Sequence, residues 1–165
     1  MHLPQLSTDL IMGTIAGLVV VYGLLAGHNK IRTLALSTYV GIVLANQLGE
    51  TTHNLLSHSS NANAAGLGIG IVRLILFAAP IVLLEVSRRS SHSRGAHAGM
   101  LVTIILAILT AGLIISEGLA QLEGSVLTHI THSSTVAFEL YRYHLWIVAI
   151  VPIFIIAEAF IKSRE

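Results

Sequence analysis

Five long apolar segments are the feature that most constrains how this chain can fold. Each is close to the roughly 20 residues that an α-helix needs to cross a hydrocarbon core about 30 Å thick. The five segments are Leu10–Gly27, Ile31–Leu48, Gly66–Val86, Ala98–Leu122 and His144–Ile161. Because backbone polar groups in lipid must bond to one another, runs this apolar predict helices. We therefore predict an all-α fold, a polytopic transmembrane helical bundle with five spans, built from residues 1–165 as a single domain.

The small number of charged residues supports the same class. Charged residues make up 10% of the chain and apolar residues 54%, whereas a soluble domain is about 25% charged. This composition predicts that the lipid bilayer is the main partner. The net charge of +1 provides no basic field that would attract nucleic acid. The chain has no cysteine, which excludes disulfides, thiolate metal sites and thiol catalysis.

The basic residues predict the orientation of the spans. Seven of the nine fall on one side of the membrane if there are five spans: Lys30, Arg32, Arg88, Arg89, Arg94, Lys162 and Arg164. Arg142 falls on the other side, and Arg73 lies within the third span. Lys and Arg concentrate in cytoplasmic loops, so we expect the N-terminus outside and the C-terminus inside.

Arg73 is the charge that lies deepest in a predicted span. It is seven residues past Gly66, about 10 Å along a helix that rises ~1.5 Å per residue. Arginine at such a depth costs about 2.5 kcal/mol or more on insertion scales, so it should find a partner. Glu117 is nearest in depth and Glu50 is the alternative. The cluster is either a polar vestibule or ion path, or a structural ion pair that sets helix register.

Glycine spacing predicts tight packing of the first span. Gly13 and Gly17 form one G-x-x-x-G pattern, and Gly23 and Gly27 form a second. Small residues at this spacing allow two helix backbones to approach closely. The contact is either within one chain or with a second copy or another membrane protein. Gly27 also follows the span where a helix C-cap is expected.

Two prolines and one acidic residue mark the later spans. Pro80 and Pro152 lie inside the third and fifth spans, where each frees a backbone carbonyl and tends to kink the helix. Glu158, near the end of the fifth span, is expected to lie at the inner interface as a surface charge.

The nine histidines raise the possibility of a metal site, but their pattern supports it weakly. His129 and His132 have i,i+3 spacing and, with Glu123 or His53, could hold a metal. H-x-x-H alone is a weak motif, and polar loop residues are the alternative. Nucleotide-binding, serine-hydrolase and metalloprotease motifs are absent. We expect no cofactor and no enzymatic activity.

The first predicted hairpin joins an apolar span, a short basic loop with glycine and a second apolar span, in Tyr22–Arg32 and Leu34–Gly41. This pattern resembles the start of the colicin V production protein (CvpA-like) family. Gly27 and the following Lys30 or Arg32 match the short basic loop of that family, whereas Ala26 and His28 depart from it and the fifth span has no counterpart. The resemblance implies a small bacterial inner-membrane protein with a role in export, envelope homeostasis or biofilm formation, and it implies no catalytic residues.

Three functions follow from these observations. The first is a non-enzymatic membrane scaffold or transport-associated component that acts through helix packing. The second is a small channel or transporter with a polar site around Arg73, Glu117 and Glu50. The third is an outward-facing metal or haem enzyme that uses the histidines.

Overall fold

The computed structural model describes residues 4–58, 68–87, 99–122 and 124–162, and in these ranges the chain forms seven helices and no strand. Five helices are long and two are short. In chain order they are α1 (Pro4–Ala26), α2 (His28–His58), α3 (Ile69–Ser87), α4 (Met100–Ala120), α5 (Gly124–Ser133), α6 (Thr135–Arg142) and α7 (His144–Lys162). The predicted all-α class is confirmed.

The long helices overlap the predicted segments, with one clear extension. The fifth segment, His144–Ile161, coincides with α7 to within one residue. By contrast, the second predicted segment ends at Leu48, yet α2 continues to His58 through a polar stretch. No proline interrupts this stretch, and the Ser57 hydroxyl and the His58 ring both bond back to the Asn54 carbonyl. Polar residues without a helix breaker are compatible with a helix that continues beyond an apolar core.

Length and composition identify the helices that could cross a membrane. Thr8–Ala26 and Met100–Ala120 are each long and apolar enough, and α6 with α7 adds a third if this pair, bent by 64°, is one span. The apolar part of α3, Ile69–Leu84, is shorter. α2 has sufficient length but carries serine, threonine, asparagine and glutamine along its middle. Two or three such helices are typical of a membrane protein.

α4 is the central helix of the bundle, with α1, α2 and α7 packed around it. The main core joins Ile31 and Ala35 of α2, Leu106 and Leu113 of α4, and Val151 of α7. α4 also buries the hydroxyls of Thr110 and Ser116, which bond to carbonyls within the helix. Small side chains whose hydroxyls bond within their own helix allow that helix to have neighbours on several sides.

The five long helices alternate in direction. α1 and α2 are joined by Gly27, which adopts φ of +88° and caps α1 by donating its N–H to the Gly23 carbonyl. The predicted C-cap is confirmed. Its left-handed backbone is accessible to glycine at little cost. Contacts farther along then run in opposite order: on α2 and α7, His28 meets Glu158 whereas Tyr39 meets Val148.

α3 packs on α2 along a face of small residues. Gly41, Ala45 and Gly49 follow one another at four-residue spacing, and all three are buried. A Cβ atom added at Gly41 would lie 2.3 Å from the Phe77 carbonyl oxygen, and one at Gly49 would lie 2.6 Å from Cγ of Arg73. The two backbones are therefore in direct contact, which larger side chains on α2 would prevent.

Alanine at Gly41 should separate α2 from α3. A Cβ atom there meets backbone rather than a movable side chain, so we expect a loss of about 1–3 kcal/mol, the usual cost of overpacking. The measurement is thermal unfolding of Gly41→Ala in detergent micelles. Gly118→Ala is the control, because its added Cβ meets no atom within 4 Å. Equal melting temperatures for the two variants would contradict the close α2–α3 contact.

Candidate functional site: a polar cluster around Glu117

Glu117 is a carboxylate buried in the last turn of α4. It is 5% exposed, and Gln121, one turn further on the same face, is 4% exposed. Its polar neighbours include the Gln121 side chain and His144, the first residue of α7. Tyr39 of α2 is within electrostatic range of the same carboxylate. The cluster therefore lies where α2, α4 and α7 meet.

Amide and imidazole groups complete the cluster. The Gln121 side-chain N–H donates to Oδ1 of Asn46 on α2 over 3.4 Å. Nδ1 of His144 lies 2.8 Å from the Tyr141 carbonyl oxygen, and the two rings stack with centroids 5.5 Å apart. A carbonyl only accepts, so Nδ1 must carry the proton of that bond. Nε2 is then the ring nitrogen left for other partners.

Tyr39 satisfies a carbonyl that the chain leaves without its helical partner. Pro152 lies inside α7 and has no N–H to offer to the carbonyl four residues earlier, that of Val148. The Tyr39 hydroxyl donates to the Val148 carbonyl. A side chain of α2 thus supplies the bond that the proline removes, and in doing so it ties α2 to α7.

Two further polar links lie at opposite ends of the bundle. Nε2 of His28 is 2.8 Å from Oε1 of Glu158, and His28 is 6% exposed. At the other end, the Ser134 hydroxyl donates to Asp9 of α1 and accepts from the Ala137 N–H, which caps α6. Glu158 was expected to be a surface charge, but its side chain is 13% exposed and contacts the buried His28 ring.

The structure separates the residues of the predicted polar site. Arg73 is half-buried against Gly49 of α2, and Glu50, next along α2, is exposed. Within the described residues, the one ion pair closer than 4 Å is His28–Glu158, so Arg73 contacts neither Glu117 nor Glu50 at that range. The physical reason is that α3 packs chiefly on α2, which places Arg73 against Gly49 of α2 and away from the α4 face that carries Glu117.

The four glycines of the first predicted span have three different environments. A Cβ at Gly13 or Gly17 would meet nothing within 4 Å, whereas one at Gly23 would lie 2.8 Å from Cβ of Ala107. Gly27 provides the turn described above. Gly23 therefore packs within the bundle, whereas Gly13 and Gly17 are exposed and make no close contact there.

The histidines do not assemble a metal site in the described part of the chain. His129 and His132 lie on α5 and are both exposed. No group of three His, Cys, Asp or Glu side chains within the described residues could hold a metal ion. Glu123, the predicted additional ligand, lies outside those residues.

Comparisons of the chain with known protein families, with characterised proteins and with solved structures gave no match. The similarity of residues 22–41 to CvpA-like proteins therefore stays a prediction.

Sequence reasoning placed Glu117 near a polar site but missed most of its neighbours. Tyr39, Gln121 and His144 were not identified as its surroundings. One signal was present, because Pro152 implies a carbonyl at Val148 that needs a donor. The donor itself depends on which helix lies opposite, and spacing along the chain does not reveal that.

Removing the Tyr39 hydroxyl should destabilise the protein, because Pro152 offers the Val148 carbonyl no other donor. Tyr39→Phe leaves the Val148 carbonyl unpaired, and we expect unfolding in detergent to become about 1–3 kcal/mol easier. In a Pro152→Ala background the backbone N–H at position 152 is restored, so Tyr39→Phe should lower the free energy of unfolding by clearly less. Tyr143→Phe, at an exposed tyrosine, should change stability by less than about 0.5 kcal/mol. Strictly additive effects of Tyr39→Phe and Pro152→Ala would contradict the assignment.

Proposed function

We propose that this chain is a non-enzymatic integral membrane protein of the bacterial inner membrane, a scaffold or export-associated component that acts by helix association. In this proposal α1, α2, α3, α4 and α7 are the five spans, with the N-terminus outside. The resemblance of the first hairpin to CvpA-like proteins supports the same class of role. The observation that carries the proposal is the unoccupied glycine face of α1.

Helix directions and charges support the five spans. The long helices alternate in direction, as consecutive crossings require. The turn at Gly27, with Lys30 and Arg32, and the last turn of α7 with Lys162 lie at one end of the bundle. α5 and α6 lie at the other end, with Arg142 as the basic residue there. Arg88, Arg89, Arg94 and Arg164 lie outside the described residues.

α1 leaves much more of its surface unused than α4 does. Within its apolar stretch 11% of the residues are buried in the bundle, compared with 50% for α4. Gly13 and Gly17 lie on the exposed side, where an added Cβ meets nothing. A G-x-x-x-G face fits a copy of itself, since each groove accepts the backbone of the other helix. A second copy of this chain is therefore the partner that we propose for α1.

The mass of the purified protein in detergent tests this association. We expect a dimer for the wild type and a monomer for the double variant Gly13→Leu with Gly17→Leu, because leucine fills the groove. Gly118→Leu on α4 is the matched control, and it should remain dimeric. A monomeric wild type, or a double variant that still dimerises, would refute the role of α1.

A small channel or transporter is the second candidate. The specific observation in its favour is the buried carboxylate of Glu117, since an ionisable group inside a membrane bundle commonly marks an ion or substrate pathway. The predicted contribution of Arg73 is weakened by its distance from Glu117, and Glu50 remains a candidate at the exposed edge of α2. Ion flux into liposomes that contain the purified protein distinguishes this function from a scaffold.

A further inference from the structure

Arg73 is a charged side chain that needs an anion. Within the described residues, its buried Nε has no hydrogen-bond partner and no carboxylate lies within 4 Å of its guanidinium. The residue as a whole is partly exposed, so the terminal nitrogens remain available to a group outside the helices. An arginine among membrane helices requires a partner. Lipid phosphate is the anion that a bilayer supplies, and a guanidinium binds phosphate through paired hydrogen bonds.

A groove lies between α1 and α3, with α4 at its base. It is present because α1 packs chiefly on α4, whereas α3 packs chiefly on α2. The volume of this α1–α3 groove is about 370 Å³, within the range of roughly 300–1,000 Å³ that is typical of ligand pockets. The described residues that line it are apolar apart from Thr8, and they include Ile11, Ile15, Leu74, Phe77 and Gly118.

The α1–α3 groove is continuous with surface that α1 leaves exposed. Ile11 is 57% and Ile15 39% exposed, on a helix long and apolar enough to cross a membrane. A Cβ atom added at Gly118, in the α4 wall, would meet no atom within 4 Å, so the space extends to the backbone of α4. An acyl chain needs no hydrogen-bond partner, and it can therefore fill a space with so few polar atoms.

Arg73 lies near the same height in the bundle as one end of the α1–α3 groove. It packs on Gly49 of α2, which is three residues (49 minus 46), or ~4.5 Å, along the helix from Asn46. Asn46 bonds to Gln121, and the next residue, Leu122, lines the groove. The cation is therefore at the end of the bundle near α5, and the groove runs from that end toward the interior of the membrane.

We propose that a phospholipid of the leaflet at this end binds to the chain, with its phosphate at Arg73 and one acyl chain in the α1–α3 groove. The positive charge matches the phosphate, and the apolar lining matches the acyl chain. A lipid is thus the partner of Arg73 that neither Glu117 nor Glu50 provides.

This inference goes beyond the proposed function, because a lipid can bind without any association of α1. Successive residues of a helix are separated by about 100°, which places Gly13 and Gly17 on the opposite side of α1 from Ile11 and Ile15. A second copy on the glycine face therefore leaves the groove open. The double variant Gly13→Leu with Gly17→Leu should lose dimerisation and keep its affinity for lipid, so the two proposals can fail separately.

Native mass spectrometry of the full chain in a maltoside detergent tests the phosphate contact, with dioleoyl phosphatidylglycerol and dioleoylglycerol as probes. The two lipids have the same acyl chains, and the first alone carries a phosphate. The wild type should bind phosphatidylglycerol about tenfold more tightly, the equivalent of one charge-assisted hydrogen bond. Arg73→Gln should bind both lipids alike. Arg32→Gln, at a half-buried arginine near the other end of α2, should retain the preference.

Gly118→Leu tests the groove, because a leucine side chain would occupy the space of the acyl chain. The affinity for both lipids should fall by about tenfold, which corresponds to the loss of roughly two buried CH₂ groups. If Gly118→Leu folds poorly, the comparison of the two lipids in Arg73→Gln still decides. Equal affinities of the wild type for the two lipids, or affinities that Gly118→Leu leaves unchanged, would overturn the proposal. A Gly118→Leu variant that becomes monomeric would also overturn it, because a second copy would then be the occupant of the groove.

Discussion

The hydrogen bond from Tyr39 to the Val148 carbonyl is the interaction on which the arrangement of the central helices depends. A backbone carbonyl without water or a donor is costly inside a membrane, and Pro152 creates one in α7. The donor comes from α2, so the two helices are tied at a defined height. The His28–Glu158 contact lies 11 residues away along α2 (39 minus 28) and 10 along α7 (158 minus 148). At ~1.5 Å per residue these distances match, and the two contacts therefore set one register for a pair of antiparallel helices.

That register also places the polar cluster. With α2 and α7 aligned, Asn46 comes to Gln121 and His144 comes to Glu117, at the end of the bundle where α4 terminates. The same helix α2 presents its small-residue face, Gly41, Ala45 and Gly49, to α3. α2 thus bonds through polar groups to α7 and α4, and packs through backbone contact on α3. Arg73 lies on α3 and is therefore at this second interface. For that reason it does not contact Glu117, the partner that its predicted depth in the membrane suggested.

Much of the fold could be predicted from hydropathy and glycine chemistry, because these are local properties. The bounds of α7 and the cap at Gly27 are examples, since apolar runs and a left-handed turn leave direct signals in the sequence. The extension of α2 to His58 was missed because a polar composition suggests a loop although it permits a helix. The surroundings of Arg73 were missed for a different reason. Counting residues gives the depth of Arg73 within its span, but it does not show which helix packs beside it. The spacing of Gly41, Ala45 and Gly49 was an available signal, of the same type as the glycines on α1, and it identifies the face on which α3 packs.

We propose that five antiparallel helices cross the membrane, with the Gly27 turn inside and the α5–α6 end outside. Because the chain has no cysteine, single cysteines report on sidedness without a background. The most direct measurement is labelling of Asn29→Cys, His58→Cys and Ser125→Cys by a membrane-impermeant maleimide in intact bacterial cells and after permeabilisation. We expect that cysteines at 58 and 125 react in intact cells, and that the one at 29 reacts only after permeabilisation. Labelling of positions 29 and 58 from the same side would contradict it, because α2 would then not cross the membrane.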